Sequence, residues 1–240
     1  MTANPDGRGR PVHGVAIGII VLDTAFTRIP GDIANALTWR FPVQFHVVRG
    51  VTPQRVIGGD PDDYLPPFLA AIDHLVALGV DGITTSCGFL AAAQPRLTAY
   101  SPVPVASTSL MQIPLVRAVL PASRTIGVVC TDKARLTDDH FLGVGAPLGL
   151  PVAELAADGP IRTAMRTGAR VVDTAAQEEE VVETVGALLR ERPDIGAIVH
   201  ECANLAPYSA RLREVHGRPV YDIVTLVDWL HAGLRPRRFG

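Results

Sequence analysis

The sequence is poor in lysine, cysteine and aromatic residues, and each shortage closes off some chemistry. Of 22 basic side chains, 21 are arginine and one, Lys133, is lysine. Schiff-base catalysis, pyridoxal phosphate included, therefore has a single candidate. Three cysteines, Cys87, Cys130 and Cys202, stand far apart with no CxxC pair. Such a set supplies neither a disulfide framework nor a cysteine-rich zinc site, and reduced thiols in a cytoplasmic protein are expected. No apolar run reaches the roughly 18 residues of a membrane span, so no membrane partner is expected. An excess of charge is missing too, with 22 basic against 24 acidic residues, which removes the electrostatic case for nucleic acid. No GxGxxG follows the first apolar run and no GxxxxGK[ST] occurs, so phosphate-cradling loops lack support. Thr84 to Gly88 is a degenerate nucleophile elbow with Thr84 where glycine belongs, and His200 to Cys202 lacks the companion ligands of a zinc deaminase. The expected partner is a small-molecule substrate, with a homo-oligomer as an open alternative; no cofactor and no metal are expected.

What is present is apolar substance in an ordered pattern. The chain has 240 residues, 48% of them hydrophobic, enough to bury a sizeable core. Short β-branched runs alternate with longer amphipathic stretches, which predicts βα units around a mostly parallel sheet. Strands are expected at Gly14 to Leu22, Val43 to Val48, Gly82 to Ser86, Val103 to Ala106, Thr125 to Cys130, Ile195 to Val199 and Pro219 to Tyr221. Helices are expected at Asp62 to Leu78, stopped by Gly79, and at Leu90 to Tyr100, Leu110 to Leu120, Gln177 to Arg190, Pro207 to Val215 and Val224 to Ala232. Three glutamates near the start of the Gln177 helix suit the positive end of its dipole. The stretch from Ala134 to Ala176 carries no clear period. Residues 1 to 11, polar and marked by Pro5, Gly7 and Gly9, read as a flexible tail.

An internal repeat organises the rest. A shift of 115 residues lays Asp81 to Ala91 on the segment ending at Ala206, pairing Ile83 with Ile198, Cys87 with Cys202 and Leu90 with Leu205. The same shift puts Pro104 and Val105 on Pro219 and Val220. A shift of 109 pairs Gly18 with Gly127 and Asp23 with Asp132. Loose alignment is common among βα units, but register kept across strand, loop and strand favours duplication. The expected fold is α/β with two pseudo-symmetric halves, residues 12–120 and 121–223, each a mostly parallel sheet flanked by helices, and a cleft between them. The C-terminal helix, 224–240, is expected to pack on the first half.

Cys87 and Cys202 then fall at equivalent strand ends, just ahead of a helix, where free backbone N–H groups favour negative charge. A cysteine at a strand end is by itself a small buried hydrophobe. Two at matched positions can address opposite faces of one carbon, one as thiolate removing a proton and the other as thiol donating one. With an unperturbed thiol pKa of about 8.5, modest shifts suffice to supply both forms. Ser86, the amides after each cysteine and nearby hydroxyls are available to stabilise the carbanion.

These residues give the chain a resemblance to the aspartate/glutamate racemase superfamily, which includes hydantoin racemases, arylmalonate decarboxylases and maleate isomerases. The resemblance rests on Asp23-Thr24 after the first strand, Cys87 after the strand ending Thr84-Thr85-Ser86, and Cys202 in Glu-Cys-Ala-Asn, and it covers almost the whole chain. It implies a cofactor-independent carbon-acid enzyme in which Cys87 and Cys202 are the acid/base pair. Asp23, Thr24, Ser86, Gly88, Phe89, Thr131, Ala203 and Asn204 are the expected substrate-binding residues. Amino-acid racemases of the superfamily follow the first cysteine with Asn-Thr and the second with Thr. Here Gly88-Phe89 and Ala203 stand instead, which argues against free aspartate or glutamate. Retention of both cysteines favours racemisation or epimerisation of a small carboxylate or cyclic amide. A one-cysteine isomerase or decarboxylase, or a non-catalytic binding protein, is the alternative.

Other candidates carry less. Cys130 is expected to be structural, and Glu201, aligned with Ser86, to make a structural hydrogen bond; His200 shares a face with Cys202 if the strand runs that far and is a minor candidate to tune its thiol. The long segment from Thr24 to Pro42 is a candidate cover, with Arg28 or Arg40 pairing a carboxylate. Thr108, Ser109 and the Thr131-Asp132 pair either face the pocket or cap turns. Arg235 to Arg238 reads as a solvated end.

Overall fold

A computed structural model describes residues 14–237 and 239, so the expected tail at 1–11 lies outside the described residues. Two four-stranded parallel sheets are built in the same way. The first holds β1 (Ile17–Leu22), β2 (Val43–Val48), β3 (Gly82–Thr85) and β4 (Val105–Ala106), in the order β2-β1-β3-β4. The second holds β5 (Thr125–Cys130), β6 (Val152–Glu154), β7 (Ile195–His200) and β8 (Val220–Tyr221), in the order β6-β5-β7-β8. Even the register repeats. Ile83 pairs Val105 in the first sheet and Ile198 pairs Val220 in the second, both related by the 115-residue shift seen in the sequence.

Parallel sheets need cover on both faces, and the strands are accordingly apolar throughout. All six residues of β1 are buried, and period-two alternation divides them. Ile17, Ile19 and Val21 meet Ile223, Leu226, Val227 and Leu230 of the C-terminal helix α9 (Ile223–Leu234). Ile20 and Leu22 meet α2 (Pro61–Leu78), whose Phe68, Ile72 and Leu75 are fully buried, each worth about 2 kcal/mol of transfer free energy. The Asp60 side chain caps α2 and Pro61 opens it, while Gly79 ends it at φ 95°, a left-handed conformation that a side chain would strain. On the second sheet, Val181, Val185 and Leu188 of α7 (Thr174–Glu191) pack on Ile195 and Ile198. Ile126, Val128, Ala197 and Val199 share one core cluster with Ile83, Leu90 and Leu110, so the two halves are joined by apolar packing.

Several boundaries differ from the sequence expectation. The helices expected from Leu90, Leu110 and Pro207 each begin as a tighter 3-10 turn, at Gly88–Ala93, Ser109–Gln112 and Ala203–Tyr208. They become α-helical only at α3 (Gln94–Tyr100), α4 (Ile113–Val119) and α8 (Ser209–His216). Pro95 and Pro114 stand in the first turn of α3 and α4, where a missing N–H costs nothing. The glutamates do not open α7: Asp173 caps it through the Ala176 N–H, leaving no acidic residue in the first turn. The unparsed stretch holds α5 (Asp138–Leu142), β6 and α6 (Pro160–Thr167), pieces too short to show a period. Among the described residues, no helix is long and apolar enough to cross a membrane.

Candidate active site

β3 and β7 end side by side in the two halves, and the chain leaves each through a cysteine. Cys87 is the N-cap of the turn Gly88–Ala93, and Cys202 the N-cap of the turn Ala203–Tyr208. Both are 7% exposed, and both line one small cleft open to solvent. Thr24, Ser86, Gly88, Phe89, Thr131, Ala203 and Asn204 also line it, as the sequence suggested. Asp23 does not. Its carboxylate accepts from the Gly50 N–H at 2.9 Å and pairs with Arg49, closing the turn after β2, so it is corrected to a turn-closing residue.

The thiols are not the one-thiolate, one-thiol pair expected from their place at the strand ends. Burial, and then the neighbouring Glu201, push the Cys87 thiol up to about 12. The same causes raise Cys202 well above its ordinary value. The amides of Phe89 and Leu90 at Cys87, and of Asn204 at Cys202, pull the other way and lose. Short 3-10 turns offer a weaker dipole than long α-helices, and desolvation of the charged form decides the outcome. Both sulfurs therefore rest as neutral thiols at neutral pH.

Glu201 is the carboxylate in this lining, 1% exposed. Burial raises its pKa to about 8, opposed by a hydrogen bond from the Thr131 backbone. The expected structural bond is thus present. The carboxyl rests against Gly88 of the other half: a Cβ at position 88 would run into the backbone oxygen and the carboxylate of Glu201. Close approach, not a turn, is the reason for glycine after Cys87.

Arg28 is the basic side chain of the lining, and its surroundings fix it. One guanidinium nitrogen meets Asp32 Oδ1 at 2.8 Å, another donates to Thr24 Oγ1 at 2.9 Å, and the group lies 4.6 Å from the centre of the Phe26 ring. Asp32, itself buried, also accepts from Asn204 Nδ2 at 2.6 Å, and Asn204 Oδ1 accepts from the Cys202 thiol at 3.5 Å. A continuous polar chain therefore runs from Arg28 to Cys202. The long segment after β1 is held by hydrogen bonds at both ends: Thr38 Oγ1 donates to the Asp32 carbonyl at 2.6 Å, and Thr27 reaches Ala169 and Arg170 of the second half. Arg40 is exposed and outside the lining.

The remaining candidates lie outside the lining. The Cys130 thiol donates to the Ala153 carbonyl at 3.6 Å and does not line the cleft. β7 ends at His200, whose ring turns toward Ser209 at 3.5 Å and not toward Cys202, and whose burial lowers its pKa to about 3. Thr108 caps its 3-10 turn through Leu110 N–H, and Asp132 caps the next through Arg135 N–H. Pro53, Ile57 and Met165 line the cleft without any sequence signal, because only the tertiary fold brings them there.

No family model matches the chain. It is 27% identical over 244 residues to the dimethylsulfoniopropionate lyase of Durusdinium sp. clade D, covering 98% of this chain and 81% of that protein. It is 30% identical over 236 residues to dimethylsulfoniopropionate lyase 7 of Emiliania huxleyi (strain CCMP1516), covering 94% of this chain and 69% of that protein. The chain belongs to the dimethylsulfoniopropionate lyase family. Sequence reading named racemase, decarboxylase and isomerase relatives and did not name this family of enzymes. The fold, however, is the one those relatives share. An arylmalonate decarboxylase Gly74Cys mutant in its sulfate-associated form superimposes with a TM-score of 0.63 at 18% identity, covering 91% of this chain and 92% of that one. Allantoin racemase from Klebsiella pneumoniae gives 0.60 at 19%, covering 92% and 87%. Glutamate racemase RacE1 from Bacillus anthracis gives 0.59 at 13%, covering 92% and 83%.

Proposed function

We propose that this member of the family is a cofactor-independent carbon-acid lyase. It takes the α-proton from a small carboxylate bearing a cationic leaving group on the β-carbon, of the dimethylsulfoniopropionate type. The observation that carries the reading is the meeting of two strand-end thiols, an Asp32-held arginine and a buried glutamate in one cleft. Arg28 is suited to the substrate carboxylate, and Phe89 and Met165 to the apolar methyl groups around a sulfonium. One cysteine as thiolate removes the α-proton, forming an S–H bond. The C–H electron pair becomes the C=C bond, and the pair of the breaking β-carbon–sulfur bond leaves with sulfur, giving dimethyl sulfide and acrylate. Amide N–H groups opening the two 3-10 turns are placed to support the enolate that develops on the carboxylate. The second thiol donates to the substrate and holds it against the first.

Racemisation at an α-carbon is the second reading, favoured by the pseudo-symmetric placement of Cys87 and Cys202. One experiment separates the two. Purified protein is given dimethylsulfoniopropionate with headspace detection of dimethyl sulfide, and in parallel a panel of enantiopure acids and hydantoins in deuterium oxide with optical rotation. Lyase turnover is expected, reduced about 10³-fold by Cys87→Ser and by Cys202→Ser with the fold intact by circular dichroism. Full turnover in either variant overturns the two-thiol mechanism, and optical inversion without dimethyl sulfide release selects the racemase.

A further inference from the structure

Pseudo-symmetry makes Ser86 and Glu201 counterparts, and their backbones behave identically: Ser86 N–H donates to Ile20, and Glu201 N–H to Val129. Their side chains share a task as well. Ser86 Oγ accepts from the Leu22 N–H at 3.0 Å, and the Glu201 carboxyl accepts from the Thr131 N–H. Leu22 and Thr131 are themselves counterparts under the 109-residue shift. One oxygen suffices for that bond, as serine demonstrates in the first half. Glutamate brings a second, Oε2, which is buried without a hydrogen-bond partner in a residue that lines the cleft. An orphaned carboxylate oxygen costs about 1–3 kcal/mol, which a purely structural position would avoid by using serine again. The carboxyl lies across the interface against Gly88, the residue that follows Cys87.

We propose that Glu201 is a positioning residue that acts through Cys87, taking the thiol proton so that the thiolate forms by internal transfer inside the cleft. The assignment rests on the carbon-acid reading above. In the step, the Cys87 S–H bond breaks and an O–H bond forms on Glu201. The thiolate then takes the substrate α-proton and becomes a thiol again, and Glu201 releases its proton to solvent, which resets the pair. The overall proton balance is one proton released for each acrylate and dimethyl sulfide formed. The titratable groups whose charges couple to Glu201 are Cys87, Cys202, Cys130 and Asp132. Of the two groups that exchange the proton, the carboxyl gives it up at the lower pH, since burial leaves Glu201 at about 8 and Cys87 at about 12.

The test reads proton sharing without turnover. The rate of Cys87 alkylation by iodoacetamide, followed by mass spectrometry against pH, is expected in the wild type to rise to about pH 8 and then level, because one proton is shared by two sites. In Glu201→Gln the rise continues, about tenfold per pH unit, through that point, and Glu201→Asp restores the plateau. Superimposable profiles for wild type and Glu201→Gln, or a plateau at Cys202 with none at Cys87, overturn the proposal. Should Glu201→Gln fail to fold, carbon-13 NMR titration of the wild-type Glu201 carboxyl decides: a midpoint near 8 supports the proposal and one in the ordinary glutamate range overturns it. On turnover, Glu201→Gln is expected to lower kcat about 100-fold at pH 8 with little change in KM. Absent lyase and racemase activity in the wild type would defeat the functional reading, while the alkylation plateau would still report on Glu201.

Discussion

Gly88 joins sequence pattern to chemistry at a single position. The residue after Cys87 has no side chain because the Glu201 backbone oxygen and carboxylate occupy the space a Cβ would take. A methyl group there must push two strand ends apart in a core packed to near crystal density. Gly88→Ala is therefore expected to destabilise the protein by about 1–3 kcal/mol, measured by urea denaturation, and to lower turnover more than Ala203→Gly does. Equal stability of Gly88→Ala and wild type would show that the strand ends yield freely. The same scale separates the three cysteines. Cys87 and Cys202 open into the cleft, whereas Cys130 is spent on the Ala153 carbonyl.

Among the elements, the segment from Thr24 to Pro42 brings Thr24, Phe26 and Arg28 to the cleft. It has the composition of a loop yet is held at many points, from the Trp39 indole on the Ile33 carbonyl to Thr27 on the second half. Asp32 is its central tie, since it holds Arg28, the Ala34 N–H and Asn204 at once. Removing one partner of a buried pair leaves the other charge uncompensated. Asp32→Ala is expected to cost about 3 kcal/mol in chemical denaturation and to raise KM for a carboxylate substrate, because Arg28 and Asn204 both lose their orientation. A KM unchanged in that variant would remove Arg28 from the substrate's carboxylate.

Across the whole molecule, two buried groups on adjacent positions pull stability in opposite directions with pH. His200 is lowered from 6.5 to about 3, so the unfolded chain binds its proton first and stability falls as pH drops from 6.5 toward 3. Glu201 is raised from 4.5 to about 8, so the folded chain keeps its proton longer and stability falls as pH rises from 4.5 toward 8. Between 4.5 and 6.5 the two slopes cancel. Their joint contribution is a plateau at mildly acidic pH and a loss of about 2 kcal/mol between pH 6.5 and 8. Denaturation midpoints across pH 4 to 9 check this, and Glu201→Gln is expected to flatten the alkaline side. An unaltered alkaline slope in that variant would mean that other groups set it.

The strands, the duplication and the cysteine pair were legible in the linear order of residues, because hydrophobic period and repeat register are properties of the chain itself. Ile83 and Ile198, or Cys87 and Cys202, need no coordinates to be matched. The family was not legible in that way, since the chain shares its fold with an arylmalonate decarboxylase and with allantoin and glutamate racemases, and a pattern that specifies the fold does not separate them. Nor were the short pieces between Ala134 and Ala176, or Met165 in the cleft, because elements of three to eight residues are specified by what they pack against. The tertiary structure alone decided the charge state of the site. Sequence placed both sulfurs at turn N-termini, which favours thiolate; burial of both, with Glu201 brought against Gly88 from the other half, outweighs those few amides and leaves the thiols protonated.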